Sequence, residues 1–236
     1  MRFLRRRYGK DNYLYLLVDG DDAALVDPGD PAVALGAARD LGVHPRWILH
    51  THGHADHAGG SARLREELGA VVLGHGADAS WFPPDQDLAG MDAVDLGRLR
   101  LRVHPAPGHT PGSVLLEWGG RLLTGDTLFW GGCGNCRNGG HPAVLAASFA
   151  RVFPGLAAGL EVHPGHDYAE PNLAFAVARD PGNLAAAGRL AAVRAARAAG
   201  VEPEATDLGE ERLVNPFLAA RDPDDFVALR AARDRW

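Results

Sequence analysis

Thr51-His52-Gly53-His54-Ala55-Asp56-His57 holds three imidazoles and a carboxylate within six residues, just after the apolar run Trp47-Ile48-Leu49. Folding alone gives little reason for this crowding. Desolvating several titratable groups together is costly unless they are paired or hold a metal. Imidazole nitrogen and carboxylate oxygen are ligands that Zn²⁺, Fe and Mn²⁺ accept. A strand ending in a tight turn brings His52 and His54 to one ion, because residues i and i+2 point the same way in extended chain. Asp56 and His57 then open a helix expected over 58–68 and point to a neighbouring site. The bland alternative is a histidine-rich surface loop.

Three later segments weigh against that alternative. Pro107-Gly108-His109-Thr110-Pro111-Gly112 follows the strand-like Leu99 to Val103. Leu122-Leu123-Thr124-Gly125-Asp126-Thr127 reads as a buried strand ending in an acid. His163-Pro164-Gly165-His166-Asp167-Tyr168 follows Leu160-Glu161-Val162. Each sets one polar ligand just past an apolar strand, beside a Gly or Pro that shapes the turn. Singly these are weak signals; in this order behind the first motif they form a strong one.

The chain resembles the metallo-β-lactamase superfamily, and within it the glyoxalase II (hydroxyacylglutathione hydrolase) group. Asp11-Asn12-Tyr13 and Val26-Asp27-Pro28-Gly29-Asp30 match the group's opening strands. Gly125 to Phe129 with Gly132-Cys133-Gly134 match its centre, and Gly165 to Tyr168 with Asn172 to Ala176 its later part. Asn215-Pro216-Phe217-Leu218 and Leu229 to Asp234 match its tail. The metal motif defines the superfamily, and these other segments narrow it to the branch.

The resemblance implies an α/β (α+β) fold, a four-layer αββα sandwich with a C-terminal helical extension. Residues 1–168 would form the metallo-β-lactamase-like domain and 169–236 a helical region covering the active site. It also implies two divalent ions, with zinc favoured and iron or manganese as alternatives. His52, His54 and His109 would hold the first; Asp56, His57 and His166 the second; Asp126 would bridge them. The implied activity is thioester hydrolysis by a hydroxide bridging ions roughly 3.5 Å apart, with Asp56 and Asp126 as the catalytic carboxylates. Two ions against two carboxylates leave an excess of positive charge, which lowers the pKa of bound water. Asp27 would orient a ligand histidine, although an ordinary Asp-Pro-Gly turn is an equal alternative. The substrate would be a small-molecule thioester. Tyr168 keeps its place as a substrate contact. Asn135 stands where the group has a basic residue, Arg137 where it has an aromatic one, and Ala219 follows Asn-Pro-Phe-Leu in place of a basic residue. The thiol grip is therefore expected to be weak unless Arg137 and Arg221 replace the lost charge.

A mononuclear non-haem iron persulfide dioxygenase shares this ligand pattern and is the alternative; a metal-dependent nuclease is a weaker one, since the net charge of −6 argues against nucleic acid. The 236 residues suit one domain with an appendage. No apolar run approaches membrane-spanning length, and Arg2, Arg5, Arg6 and Arg7 lead into polar chain, which is not a signal-peptide pattern. Two cysteines, Cys133 and Cys136, cannot build a disulfide framework, so a cytoplasmic enzyme is expected. Their C-x-x-C spacing reads first as structural, with redox control the minor reading. The other six histidines match no ligand position and are read as structural or surface groups. Helices are expected over 32–41, 142–153, 183–199 and 226–233, and 77–90 as a loose surface stretch.

Overall fold

Side chains alternate across an extended strand, and that alternation builds the centre of the molecule. In the computed structural model, which describes residues 1–236, β1 (Arg2–Tyr8), β2 (Asn12–Asp19) and β3 (Asp22–Val26) form an antiparallel meander. Along β2, Tyr13, Tyr15 and Leu17 enter one buried cluster and Leu14, Leu16 and Val18 another. α1 (Pro31–Leu41) then crosses to β4 (Trp47–Leu49). α2 (Ala55–Ala58) and α3 (Ser61–Leu68) cross to β5 (Val71–Gly74), with β6 (Gln86–Asp87) beside it. The pairs β3–β4, β4–β5 and β5–β6 are parallel, as such crossovers require. Ala34, Ala37 and Ala38 of α1 and Leu64 of α3 pack on this sheet through the second cluster.

The second sheet contains β7 (Ala93–Leu96), β8 (Leu99–Pro105), β9 (Val114–Trp118) and β10 (Arg121–Gly125), each antiparallel to the next along β7–β8–β9–β10. A small hairpin of β11 (Leu128–Phe129) and β12 (Gly132–Cys133) follows. After α4 (Pro142–Val152), β13 (Glu161–Pro164) returns parallel to β10. Leu99, Leu101 and Val103 enter the main cluster while Arg100 and Arg102 face solvent. The chain ends in α5 (Ala169–Arg179), α6 (Leu184–Ala198), α7 (Leu208–Val214) and α8 (Pro223–Arg233), whose Phe175, Leu190, Val214 and Phe226 join the main cluster. The arrangement is the expected sandwich with its C-terminal helices.

Two expectations need correction. The helix expected over 58–68 is two pieces, because Gly59-Gly60 interrupts it, and Asp56 and His57 lie inside the first piece. The stretch 77–90 is not merely loose cover: Asp78 and Leu88 are buried and β6 extends the first sheet. Local signals elsewhere hold. Asp222 accepts a hydrogen bond from the Asp225 amide to cap α8, and Pro223 occupies its first turn. No helix is long and apolar enough to cross a membrane.

Candidate metal centre

Five strand ends converge. Asp27 follows β3, the 50–57 stretch follows β4, His109 follows β8, Asp126 follows β10, and His166 follows β13. Strand ends suit this task because a packed sheet fixes the chain up to the last residue, and the loop then aims one side chain. His52, His54 and His109 form one group of potential ligands, and Asp56, His57 and His166 another; a third grouping joins Asp27, His52 and His57. Within each group the ligand atoms lie within 4.8 Å of one another. None of the other six histidines falls in these groups.

The rings are oriented from behind. His57 Nδ1 lies 3.2 Å from Asp27 Oδ2, and His166 Nδ1 2.8 Å from Asp11 Oδ1. His109 Nδ1 lies 2.7 Å from the Asn135 carbonyl, and His54 Nε2 2.9 Å from the Asn138 carbonyl. An acceptor behind one ring nitrogen puts the proton there and turns the other lone pair inward. The inward pairs are close: His54 Nδ1 to His109 Nε2 is 3.0 Å, and His57 Nε2 to His166 Nε2 is 3.2 Å. Lone pairs so placed repel unless a proton or cation joins them. Asp27 is itself held, accepting from the Thr51 amide at 2.8 Å and the Thr51 hydroxyl at 2.6 Å, with a φ of 50° that few non-glycine residues adopt.

Asp126 faces both groups. Its Oδ1 lies 3.4 Å from His57 Nε2, and its Oδ2 3.5 Å from His109 Nε2 and 3.4 Å from His166 Nε2. Asp56 Oδ2 lies 3.3 Å from His166 Nε2 and accepts from Asn12 Nδ2 at 3.1 Å. Asp126 Oδ1 and His52 Nε2 are buried without a hydrogen-bond partner. A cation would satisfy both, so the residues present fit a pair of metal ions. The electrostatics of the ring and carboxylate groups agree with that sign. Burial alone would push the His166 imidazolium to a lower pKa, but Asp126, Asp56 and Asp11 outweigh it and raise the ring to about 11. Burial likewise works against ionised Asp126, yet His57 and His166 hold its carboxyl down at about 2. Burial, reinforced by the neighbouring rings of His57, His109, His54 and His166, drives His52 well below the usual histidine range.

This centre floors a cavity of about 630 Å³ walled by Trp81, Phe129, Asn135, Asn138, Gly139 and Tyr168. No lysine or arginine lines it. The Tyr168 ring stacks on His166, centroids 4.8 Å apart and 4° from parallel. A second cavity of about 300 Å³ shares Phe129, Asn135 and Tyr168, and adds Arg137, Arg230 and Arg233 against one acid, Asp234. Asn135 and Arg137 thus both reach the expected region. Arg221 does not: it pairs with Asp225 and, like Ala219, lines a different depression. The positive charge comes instead from α8, whose Arg230 and Arg233 were not singled out from sequence; a helix with several arginines does not reveal which of them faces a site. Asp11, Asp78 and Trp81 were likewise missed as site groups. A larger apolar depression of about 670 Å³ beside α4 and α8 contains no acid–histidine cluster and offers no comparable chemistry. The cysteines are free, and burial raises Cys133 to about 12 and Cys136 to about 11, against thiolate chemistry.

Comparison with known proteins agrees with this geometry. Residues 8–187 match the metallo-beta-lactamase superfamily, and residues 167–236 match the hydroxyacylglutathione hydrolase C-terminus. A hydroxyacylglutathione hydrolase of Anaeromyxobacter dehalogenans (strain 2CP-C) is 63% identical over the whole of both chains. One of Acidiphilium cryptum (strain JF-5) is 39% identical over 96% of this chain and 93% of its own. Among solved structures, ETHE1 from Myxococcus xanthus superposes with a TM-score of 0.76 at 27% identity, covering 98% of this chain and 90% of that one. TTHA1623 in a di-iron-bound form gives 0.68 at 27% identity, covering 91% and 100%. The chain belongs to the metallo-β-lactamase superfamily and, within it, to the hydroxyacylglutathione hydrolases.

Proposed function

We propose that the protein hydrolyses a 2-hydroxyacyl thioester of a small anionic thiol at a two-metal centre. The observation that carries this is Asp126, one carboxylate facing two complete ligand groups. On this reading His52, His54 and His109 hold one ion, Asp56, His57 and His166 the other, and Asp126 both. Bound there, the ions supply an activated water and an electrophile for the carbonyl. Their donors are imidazoles and carboxylates, which suit zinc first and iron or manganese next.

The chain's own groups do the remaining work. Asp27, Asp11 and the carbonyls of Asn135 and Asn138 fix the histidine rings. The half-exposed Asp56 is the carboxylate nearest open space and orients the attacking water. Tyr168, held neutral by burial, and Phe129 form the wall shared by the two cavities. Arg233 has no carboxylate partner and donates only to the Asn172 amide oxygen, at 3.2 and 3.3 Å. With Arg137 it is placed to receive a carboxylate of the thiol carrier. Residues 1–168 would then supply the metal ligands and Arg137, and 169–236 the covering helices with Arg233.

The single-iron oxidoreductase alternative has less support, because the chain matches a hydroxyacylglutathione hydrolase at 63% identity over its whole length and carries the hydroxyacylglutathione hydrolase C-terminus. The test is a hydrolysis screen over thioesters of different small thiols, run with elemental analysis and oxygen uptake. Two ions per chain, thioester turnover, and loss of both ions in Asp126→Ala are expected. Full occupancy in Asp126→Ala refutes the bridge; one iron with oxygen consumption refutes the hydrolase.

A further inference from the structure

Asp78 lies outside both ligand groups, in a stretch whose sequence suggests surface loop, yet it is only 3% exposed. Its carboxylate accepts three hydrogen bonds. The Gly53 amide donates to Oδ2 at 2.9 Å, the Thr110 hydroxyl to Oδ2 at 2.7 Å, and the Gly112 amide to Oδ1 at 2.7 Å. Gly53 sits between His52 and His54, and Thr110 follows His109. One carboxylate therefore ties together the two loops that carry the whole first ligand group. The approach is close enough to exclude side chains on both loops. A Cβ at Gly53 would lie 2.8 Å from Asp78 Cβ, and one at Gly112 2.7 Å from Asp78 Cγ. The glycines of the two motifs are there so that both loops can close on this acid. The second group has different supports, Asp27, Asp11 and Asn12, and Asp78 touches none of its members.

We infer that Asp78 is the positioning residue of the first metal: it sets the separation of His54 and His109, and hence the affinity of that site alone. The inference rests on the two-metal reading above. Burial makes the clamp stiff, since each donor has no water to turn to if the carboxylate is removed. Asp78→Asn keeps the size but faces an amide N–H₂ toward at least one backbone N–H or the hydroxyl. Thr110→Val removes one of the three bonds with no change of charge, and Thr110→Ser keeps it.

The experiment strips the full-length protein of metal, reloads it with Zn²⁺, and measures two successive dissociation constants by chelator competition. His54→Ala identifies which step belongs to the first site. In Asp78→Asn that step should weaken by about 10–100-fold, the range seen when an outer partner of a ligand is lost, while the other moves less than about threefold. Thr110→Val should weaken the same step by a smaller factor, and Thr110→Ser should restore it. If Asp78→Asn does not fold, the Thr110 pair carries the test. A purely structural role would lower the melting temperature of metal-free protein without this selectivity. Equal weakening of both steps, or unchanged affinity in both variants, overturns the inference. A wild type that binds fewer than two ions overturns the two-metal reading instead.

Discussion

Glu211 gives a prediction whose size follows from the structure. It is wholly buried on α7 and belongs to none of the ligand groups. Its Oε1 accepts from the Thr206 hydroxyl at 2.8 Å, and its Oε2 from the Gly131 amide at 2.9 Å and Asn215 Nδ2 at 3.0 Å. Asn215 Nδ2 also reaches the carbonyls of Phe129 and Gly132. The pair thus pins the loop beside the metal cavity to the C-terminal helices. Burial pushes the Glu211 carboxyl up to about 7 from the ordinary 4.5, against the pull of the three donors. Between those values the native protein holds a proton that the unfolded chain has released, so stability falls as pH rises. At about 1.36 kcal/mol per pH unit the full effect is about 3 kcal/mol. For a chain of this size that is about 6–12 °C in melting temperature. Glu211→Gln cannot ionise; its amide meets donors and costs about 1–3 kcal/mol at every pH. Thermal unfolding of metal-free wild type and Glu211→Gln from pH 5 to pH 8 separates the two effects. The wild type should start higher and the gap should close as pH rises, while the other titrating groups cancel in the difference. Parallel curves would refute the reasoning and mean that the three donors keep Glu211 ionised throughout.

Arg233→Ala should raise KM for thioesters of an anionic thiol by about tenfold or more, the equivalent of one charge-assisted contact, and change kcat much less, because that contact binds ground and transition states alike; an unchanged KM places the thiol elsewhere. Asp27→Asn should weaken the metal held by His57 by about 10–100-fold, read by chelator competition, since an amide oriented by the Thr51 donors no longer fixes the ring; unchanged affinity of that site would make Asp27 a turn residue only.

What the sequence discloses about this site depends on how local each contribution is. The ligand stretch 51–57 is legible because its groups are adjacent and follow an apolar strand. Asp126, His109 and His166 are legible because each repeats the pattern of strand, turn and polar residue. Asp78 is not, since its meaning arises only when two loops close on it from 25 and 34 residues away. Arg233 fails for another reason: the helix pattern of 223–233 can be read, but not which arginine turns toward the cavity mouth. The weak thiol grip expected from Asn135 and Ala219 allowed for replacement charge only at Arg137 and Arg221; α8 also brings Arg230 and Arg233 to the cavity that Asn135 and Arg137 line, which no sequence pattern marks.

On the proposed reading the distribution of charge would also orient the substrate. The inner cavity presents Asp56 and Asp126, with Asp11 and Asp27 behind the rings, and no lysine or arginine. Without metal its field repels an anion; two divalent ions would cancel the charge of these four acids and face the cavity directly, while Asp11 and Asp27 stay behind the rings. The outer cavity carries three arginines against one aspartate whether or not metal is bound. On the proposed reading an anionic thioester meets the arginines first, and only the loaded enzyme draws its carbonyl inward past Phe129 and Tyr168. The thiol end stays among the guanidiniums while the acyl end faces Trp81 and Asn138. On that reading metal loading would govern entry as well as reaction: apoprotein should bind an intact substrate analogue far more weakly than holoenzyme, even though every arginine of the outer cavity is still in place.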